Sequence, residues 1–327
     1  MFFFRFIYRI IYRAFYILIN KNKEAKYAST YLQQLEAKFY GKFDDKTFKK
    51  IVFYYSLQVP AIYDAFLFLY DRKSNEHEKE RLLQYFICSS IFDNFFDREE
   101  LTDEEIYNIT FNSLTYIPKN FNERVSLYCH LEILNDVRNK ESYLKLLLEE
   151  YKIQVATRKQ FGVELSYEEI EQITLTKGGN AVLMCSYYLD IESSNNELKC
   201  WYILGNTIQF TNDLFDIYKD LQKGLKTIPN SITEVNCLKL YYLNIVNNLK
   251  ENIQLITVED HKKLNLKISL MGICALGLVA INNLTQLEIK YNQLPNLKSL
   301  SRKELIIDME KKSNIWLWLK TIYHLSK

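Results

Sequence analysis

The scarcity of turn-forming residues constrains this chain more than any other feature. Eight glycines and four prolines serve 327 residues, about 4% where roughly 12% is usual. Sandwiches, barrels and Gly-rich nucleotide-binding folds spend these residues at their turns, so all of them are disfavoured. A chain that is 48% hydrophobic and 15% aromatic with so few breakers is expected to be all-α, with long helices around an aromatic-rich core. Helical periodicity runs through Ala25–Phe39, Lys46–Asp71, Glu78–Asp97, Ser126–Asn135, Ser142–Lys159, Tyr167–Leu189, Asn196–Lys223, Cys237–Asn252, His261–Tyr291 and Arg302–Leu325. Thr102 and Ser166, each followed by acids, read as helix starts. No Pro/Gly/Ser-rich linker, repeat or low-complexity tract divides the sequence, so residues 25–327 are expected to form a single all-α domain.

Charge narrows the partners. Forty-two basic against 40 acidic residues leave a net of +2, too little excess to neutralise phosphates along a nucleic acid, so no nucleic-acid partner is expected. Six scattered cysteines, Cys88, Cys129, Cys185, Cys200, Cys237 and Cys274, include no CxxC pair and read as reduced, buried thiols of a cytoplasmic protein.

The first 24 residues stand apart. Arg5, Arg9 and Arg13 interrupt an aromatic and aliphatic stretch whose longest unbroken apolar run is Ala14 to Ile19, too broken for an export signal. Spaced by four, the arginines share one face of an amphipathic helix. Such a helix either packs on the domain with its charges outward or lies on an anionic membrane surface, making the protein peripheral to the inner face of a membrane. Ile268 to Ile281 is apolar apart from Ser269, but its 14 residues fall short of the roughly 20 that span a bilayer, so a buried core helix is expected there.

Two acidic constellations carry the chemistry. In Phe92-Asp93-Asn94-Phe95-Phe96-Asp97 two carboxylates four residues apart lie about 40° apart on one helix face. Like charges at this spacing repel, which calls for a compensating cation. A solvated helix end is the plainer alternative, because Glu99, Glu100, Asp103, Glu104 and Glu105 follow at once. In the second constellation Asn212, Asp216 and Asp220 recur at i, i+4 and i+8, drifting only about 80° around a helix, so three oxygen ligands form a stripe. Hard cations such as Mg²⁺ bind such oxygens while keeping waters or phosphate oxygens in the remaining positions. Asp213 adds a fourth acid. Lys219, Lys223 and Lys226 follow, either to hold a phosphate or to pair with the acids.

These segments resemble the class I terpenoid synthase superfamily. Asn212-Asp213-x-x-Asp216-x-x-Lys219-Asp220 is similar to the Asn/Ser/Glu metal motif of terpene cyclases, with Asp in place of both Ser and Glu. Asp93-Asn94-x-x-Asp97 is similar to their aspartate-rich motif. The run from Leu204 to Pro229 also resembles the second motif of squalene and phytoene synthases. Thr176-Lys177-Gly178-Gly179-Asn180 falls where a helix of the superfamily breaks to aim its polar end at the diphosphate, with Lys177 as a diphosphate ligand. A close helix–helix contact with Lys177 reaching out to solvent is the equal alternative. The Gly-Gly-Lys…Arg motif of prenyl diphosphate synthases, the Tyr-rich motif of squalene synthases and the C-terminal Arg-Tyr pair of many cyclases have no counterpart.

The resemblance implies a helical bundle with a central active-site cavity, a prenyl diphosphate substrate and several Mg²⁺ ions, for which Mn²⁺ can substitute. Asp93, Asp97, Asn212, Asp216 and Asp220 would be the metal ligands, with Asp93, Asp97 and Asp216 central to catalysis. Lys177, Lys219 and Lys226 would bind diphosphate, and Phe92, Phe96, Gln209 and Asp213 would line the cavity. The expected activity is Mg²⁺-dependent ionisation of a linear prenyl diphosphate with cyclisation of the carbocation, by a monomer or a homodimer. Two alternatives remain open: a prenyltransferase condensing two prenyl diphosphates, and a non-catalytic helical scaffold associated with a membrane. Most of the aromatic residues beside the motifs are expected to be plain core. The four histidines are far apart in sequence and carry no zinc-like spacing.

Overall fold

The computed structural model describes residues 2–161 and 165–327, the side chains of Phe2 and Asp97 excepted. Among the described residues every regular element is helical, apart from an isolated bridge between Phe161 and Leu225. The all-α expectation holds. The chain groups into two compact units, residues 1–146 with 187–192 and residues 147–186 with 193–327. No change in composition marks either boundary.

In the first unit α1 (Phe2–Lys38) runs without a break past residue 24, where the sequence suggested a segment boundary; no Gly or Pro stands anywhere along it. Helix α2 (Asp45–Gln58) starts at Asp44, whose side chain accepts the Thr47 amide. The single helix expected from Lys46 to Asp71 is instead interrupted at Pro60. Proline has no N–H to donate, and the chain passes through a π turn (Val59–Tyr63) into a short α3 (Asp64–Leu67) and a 3₁₀ turn (Phe68–Tyr70). Arg13 braces this interruption, its Nη2 donating to the Pro60 oxygen at 2.9 Å and the Ala61 oxygen at 3.3 Å. Its guanidinium also lies 5.3 Å from the Tyr16 and Phe68 rings. Arg13 is therefore buried, against the expectation that the arginines of α1 face outward, whereas Arg5 is exposed and Arg9 half-buried.

Helix α4 (Glu76–Asp97) opens with a capping box between Asn75 and Glu78. Glu78, fully buried, also accepts two bonds from Arg72, at 2.7 and 2.8 Å, and one from the Asp190 amide. Burial pushes its carboxyl up, but these donors outweigh that and hold it below the usual range. Arg81 donates to the Tyr188 carbonyl and pairs with Asp136 and Asp190, tying residues 187–192 to α4. Helices α5 (Asp103–Phe111) and α6 (Phe121–Asp136) complete the unit, and Thr102 caps α5 as expected. Helix α7 (Lys140–Thr157) contains the boundary between the units.

The second unit is built on α8 (Tyr167–Ser186), α9 (Asn195–Phe215), α10 (Ile217–Lys223), α11 (Val235–Leu255), α12 (Asp260–Tyr291), α13 (Arg302–Leu305) and α14 (Lys312–Ser326). Ser166 caps α8 as expected. Helix α12 packs against α9, α11 and α14. Both it and the stretch Asp45–Tyr70 are long and apolar enough to cross a membrane, yet 61% of each apolar window is buried inside the protein. A buried hydroxyl joins three of the helices: Tyr242 donates to the Cys274 carbonyl at 2.9 Å and meets the Thr211 hydroxyl at 3.0 Å. Gly277 leaves room for it, since a Cβ there would stand 2.3 Å from the Tyr242 oxygen. None of the six cysteines is in a disulfide; Cys129, Cys185, Cys200 and Cys274 are buried, Cys88 is half-buried, and Cys237 departs from the expectation by being exposed.

Candidate metal and diphosphate site

The paired glycines do not break their helix. Helix α8 continues through Gly178 and Gly179 because these residues, with Gly205 of α9, let the two backbones meet. A Cβ on Gly205 would stand 2.1 Å from the Gly178 carbonyl oxygen, and one on Gly178 would stand 2.5 Å from the Gly205 oxygen. Asn206 ties the crossing: with its amide turned to satisfy both groups, it donates to the Leu175 carbonyl at 2.8 Å and the Tyr202 carbonyl at 3.1 Å. Of the two sequence readings, the close contact is the one observed. It also brings Lys177 into the field of the α9–α10 carboxylates. Lys177 makes no ion pair within 4.0 Å among the described residues, so its charge acts on those carboxylates at longer range.

The acidic stripe is present, and burial increases across it from Asn212 to Asp220 and Asp213. Asn212 is exposed, whereas Asp213 and Asp220 are 6% and 5% exposed. Residues seven apart fall about 20° from each other on a helix, so Asp213 and Asp220 define the inward face and Asn212 lies towards its outer side. Asp216 sits between them where α9 passes into α10, at φ −95° and ψ 6°. The backbone ladder is kept there, with Asp216 N to Asn212 O and Asp220 N to Asp216 O both 2.8 Å. Helix α10 then stops at Gly224, which adopts φ 70°.

Burial sets the electrostatics. It pushes the Asp213 carboxyl up to about 7, with the Asp220 and Asp216 charges adding to the rise and the Gln209 bond and Lys177 opposing it. Gln209 Nε2 donates to Asp213 Oδ1 at 2.8 Å. Burial and then Asp216 raise Asp220 to about 6, against Lys219, Lys223 and Lys177. Asp216 is half-exposed and pairs with Lys219 at 2.6 Å. Lys226 lies past the end of α10, its backbone N and O joined to Gln160. Three residues beyond Lys177, Asn180 is buried with an amide Nδ2 that meets no acceptor among the described residues, a donor that the sequence reading did not single out.

The first acidic motif lies in the other unit. Asp93 Oδ2 accepts from Lys50 Nζ of α2 at 2.6 Å, and Asn94 donates to Thr47 Oγ1 at 3.0 Å. Lys50 is the compensating cation that the motif called for, and only the packing of α2 on α4 reveals it. Asp97 ends α4, and its side chain lies outside the described residues. Phe95 is fully buried, with Phe92 edge-on to it at 5.5 Å; Phe92 and Phe96 are half-buried. Phe210 is buried against Tyr241 and Tyr242, so its ring is core. His130 is buried with Nε2 at 2.8 Å from the Thr110 carbonyl, and burial lowers its pKa.

Among the described residues no three His, Cys, Asp or Glu side chains converge to cage a metal ion. What α8, α9 and α10 assemble is smaller: the carboxylates of Asp213, Asp216 and Asp220 with Lys177 acting on two of them. Neither a family model nor a curated protein sequence matches the chain.

Proposed function

We propose that the chain is a Mg²⁺-dependent terpene synthase of the class I type, which ionises a linear prenyl diphosphate, releases diphosphate and cyclises the carbocation. The observation that carries this is the pair of buried carboxylates Asp213 and Asp220 beside Asp216, held above their ordinary range with Lys177 close enough to moderate them. Carboxylates crowded and buried to this degree store repulsion that a bound cation relieves. The donor set fits Mg²⁺, which takes one or two carboxylates and fills its remaining positions with waters and phosphate oxygens rather than a full protein cage. Asp216 and Asp220 would hold it; Asp93 and Asp97 enter by motif alone.

When bound, the metal supplies Lewis acidity to the leaving diphosphate. The chain's own residues do the rest. Lys177 and Asn180 offer donors from one side of α8, and Lys219, drawn from its pair with Asp216, offers a third. Gln209 fixes the Asp213 carboxylate by donating to Oδ1, which keeps that side chain from swinging towards the substrate.

The test is diphosphate release from prenyl diphosphates of ten to twenty-five carbons with and without Mg²⁺, with products separated by gas chromatography and mass spectrometry. Release that needs Mg²⁺ and falls at least about 100-fold in Asp216→Ala or Asp220→Ala is expected. Products should keep the substrate's carbon number. A doubled carbon number would move the chain to the condensing prenyltransferases, and a folded protein with no release at any chain length would end the enzymatic reading.

A further inference from the structure

The outward face of the first five turns of α1 is apolar and bare. Phe4 is 77% exposed, Tyr8 72%, Phe15 63% and Leu18 62%, and Ile11 and Tyr12 are more than half exposed. At 100° per residue these side chains fall within an arc of about 120°, while Phe6 and Arg13 on the opposite side are buried. A patch of this length cannot be the scattered surface apolarity of an ordinary protein. Phe53 of α2, itself exposed, lies beside Lys21 of α1, whose Nζ is 5.2 Å from its ring.

Charge identifies the occupant. From Phe2 to Lys23 the chain carries Arg5, Arg9, Arg13, Lys21 and Lys23 and not one acid. Arg13 is spent inside on the Pro60 and Ala61 carbonyls. Arg5 and Arg9 stand on one margin of the apolar arc and Lys21 on the other. The spacing 4, 8, 11, 15, 18 would also suit a coiled-coil seam, but such a seam takes opposite charges beside it. A second copy would bring arginines against arginines with no acid to receive them. An apolar arc rich in Phe and Tyr, with cations on both margins, matches the interface of an anionic bilayer, where rings enter the acyl boundary and arginines meet lipid phosphates.

We propose that the N-terminal half of α1 docks the protein on the surface of an anionic lipid bilayer, with Phe4, Tyr8, Phe15 and Leu18 inserted and Arg5 and Arg9 at headgroup level. This stands apart from the catalytic reading, because none of these residues belongs to the carboxylate site. The experiment is flotation of the full chain with vesicles of phosphatidylcholine alone and with 30 mol% phosphatidylserine or phosphatidylglycerol. Binding to both anionic compositions is expected to exceed that to the neutral one by about 10-fold or more at 0.1 M salt and to weaken as salt rises. The exposed quadruple variant Phe4→Ser/Tyr8→Ser/Phe15→Ser/Leu18→Ser should lose binding by more than about 100-fold, with unchanged helical circular dichroism and diphosphate release. Arg5→Glu/Arg9→Glu should remove the preference for anionic lipid. A folded chain that stays unbound at every composition would overturn the proposal. So would equal binding to neutral and anionic vesicles, or a dimer by sedimentation equilibrium that the quadruple variant dissolves without any vesicle binding.

Discussion

Asp213 is destabilising wherever it is ionised. Unfolded, its carboxyl titrates near 3.8; folded, it titrates at about 7. Between these values the folded chain holds the extra proton, so stability falls as pH rises from about 4 to 7, and the full cost is present above 7. Asp213→Asn keeps an oxygen for Gln209 and removes that cost. In metal-free protein it is expected to be more stable than the parent at pH 7.5 by on the order of 2 kcal/mol, with the advantage gone at pH 4. Urea midpoints at the two pH values measure it, and equal shifts at both would mean that Asp213 is ionised without penalty. Gly224 is a cleaner case of local strain. Its φ of 70° lies in the left-handed region and no atom lies within 4 Å of where a Cβ would stand, so Gly224→Ala should cost about 1 kcal/mol through the backbone alone. A stability unchanged in Gly224→Ala would contradict that geometry.

At the scale of elements, the contact between α8 and α9 is held by what it lacks. A Cβ on Gly178 would sit 2.4 Å from the Gln209 Cβ and 2.5 Å from the Gly205 carbonyl oxygen, so Gly178→Ala must push the helices apart. A loss of roughly 1–3 kcal/mol or more is expected, together with a rise in the apparent pKa of Asp213 as Lys177 withdraws. Gly272 in α12 is the control. Its nearest neighbour to a new Cβ is Trp318 at 3.9 Å, an ordinary contact, so Gly272→Ala should stabilise by up to about 1 kcal/mol. Denaturation of both variants in parallel separates crowding from helix propensity. The glycine pair also marks where sequence reasoning stops. Gly178-Gly179 permits a broken helix or a close crossing, and both cost the same local propensity. Which one forms depends on Gly205 and Asn206, which lie one helix away and are invisible to a local pattern. Lys50 is a similar case: Asp93 and Asp97 announce a need for a cation, but nothing in their neighbourhood names a lysine more than forty residues earlier.

For the whole molecule, a net charge of +2 conceals two local excesses: the cationic, acid-free stretch from Phe2 to Lys23, and the acidic face of α9 and α10. Binding at the second should register in the stability of the fold. Mg²⁺ with diphosphate at about 100 times its dissociation constant is worth about 2.7 kcal/mol, so the thermal midpoint should rise by a few degrees, and it should not rise in Asp216→Ala/Asp220→Ala. Scanning calorimetry of both proteins gives the answer, and an equal rise in the double variant would place the anion elsewhere. By itself the sequence determined that the chain is helical, where most helices begin and that carboxylates gather around residues 212–220, because helix formation and capping depend on neighbours within a few residues. Tertiary structure alone decided that Asp213 rather than Asn212 turns inward, that Arg13 is buried while Phe4 and Phe15 are bare, and that the α8 glycines form a contact. Burial depends on what packs against a helix face: Asn212 and Asp213 stand about 100° apart on α9, either could begin a stripe with Asp216 and Asp220, and only the neighbouring helices settle which one meets the core.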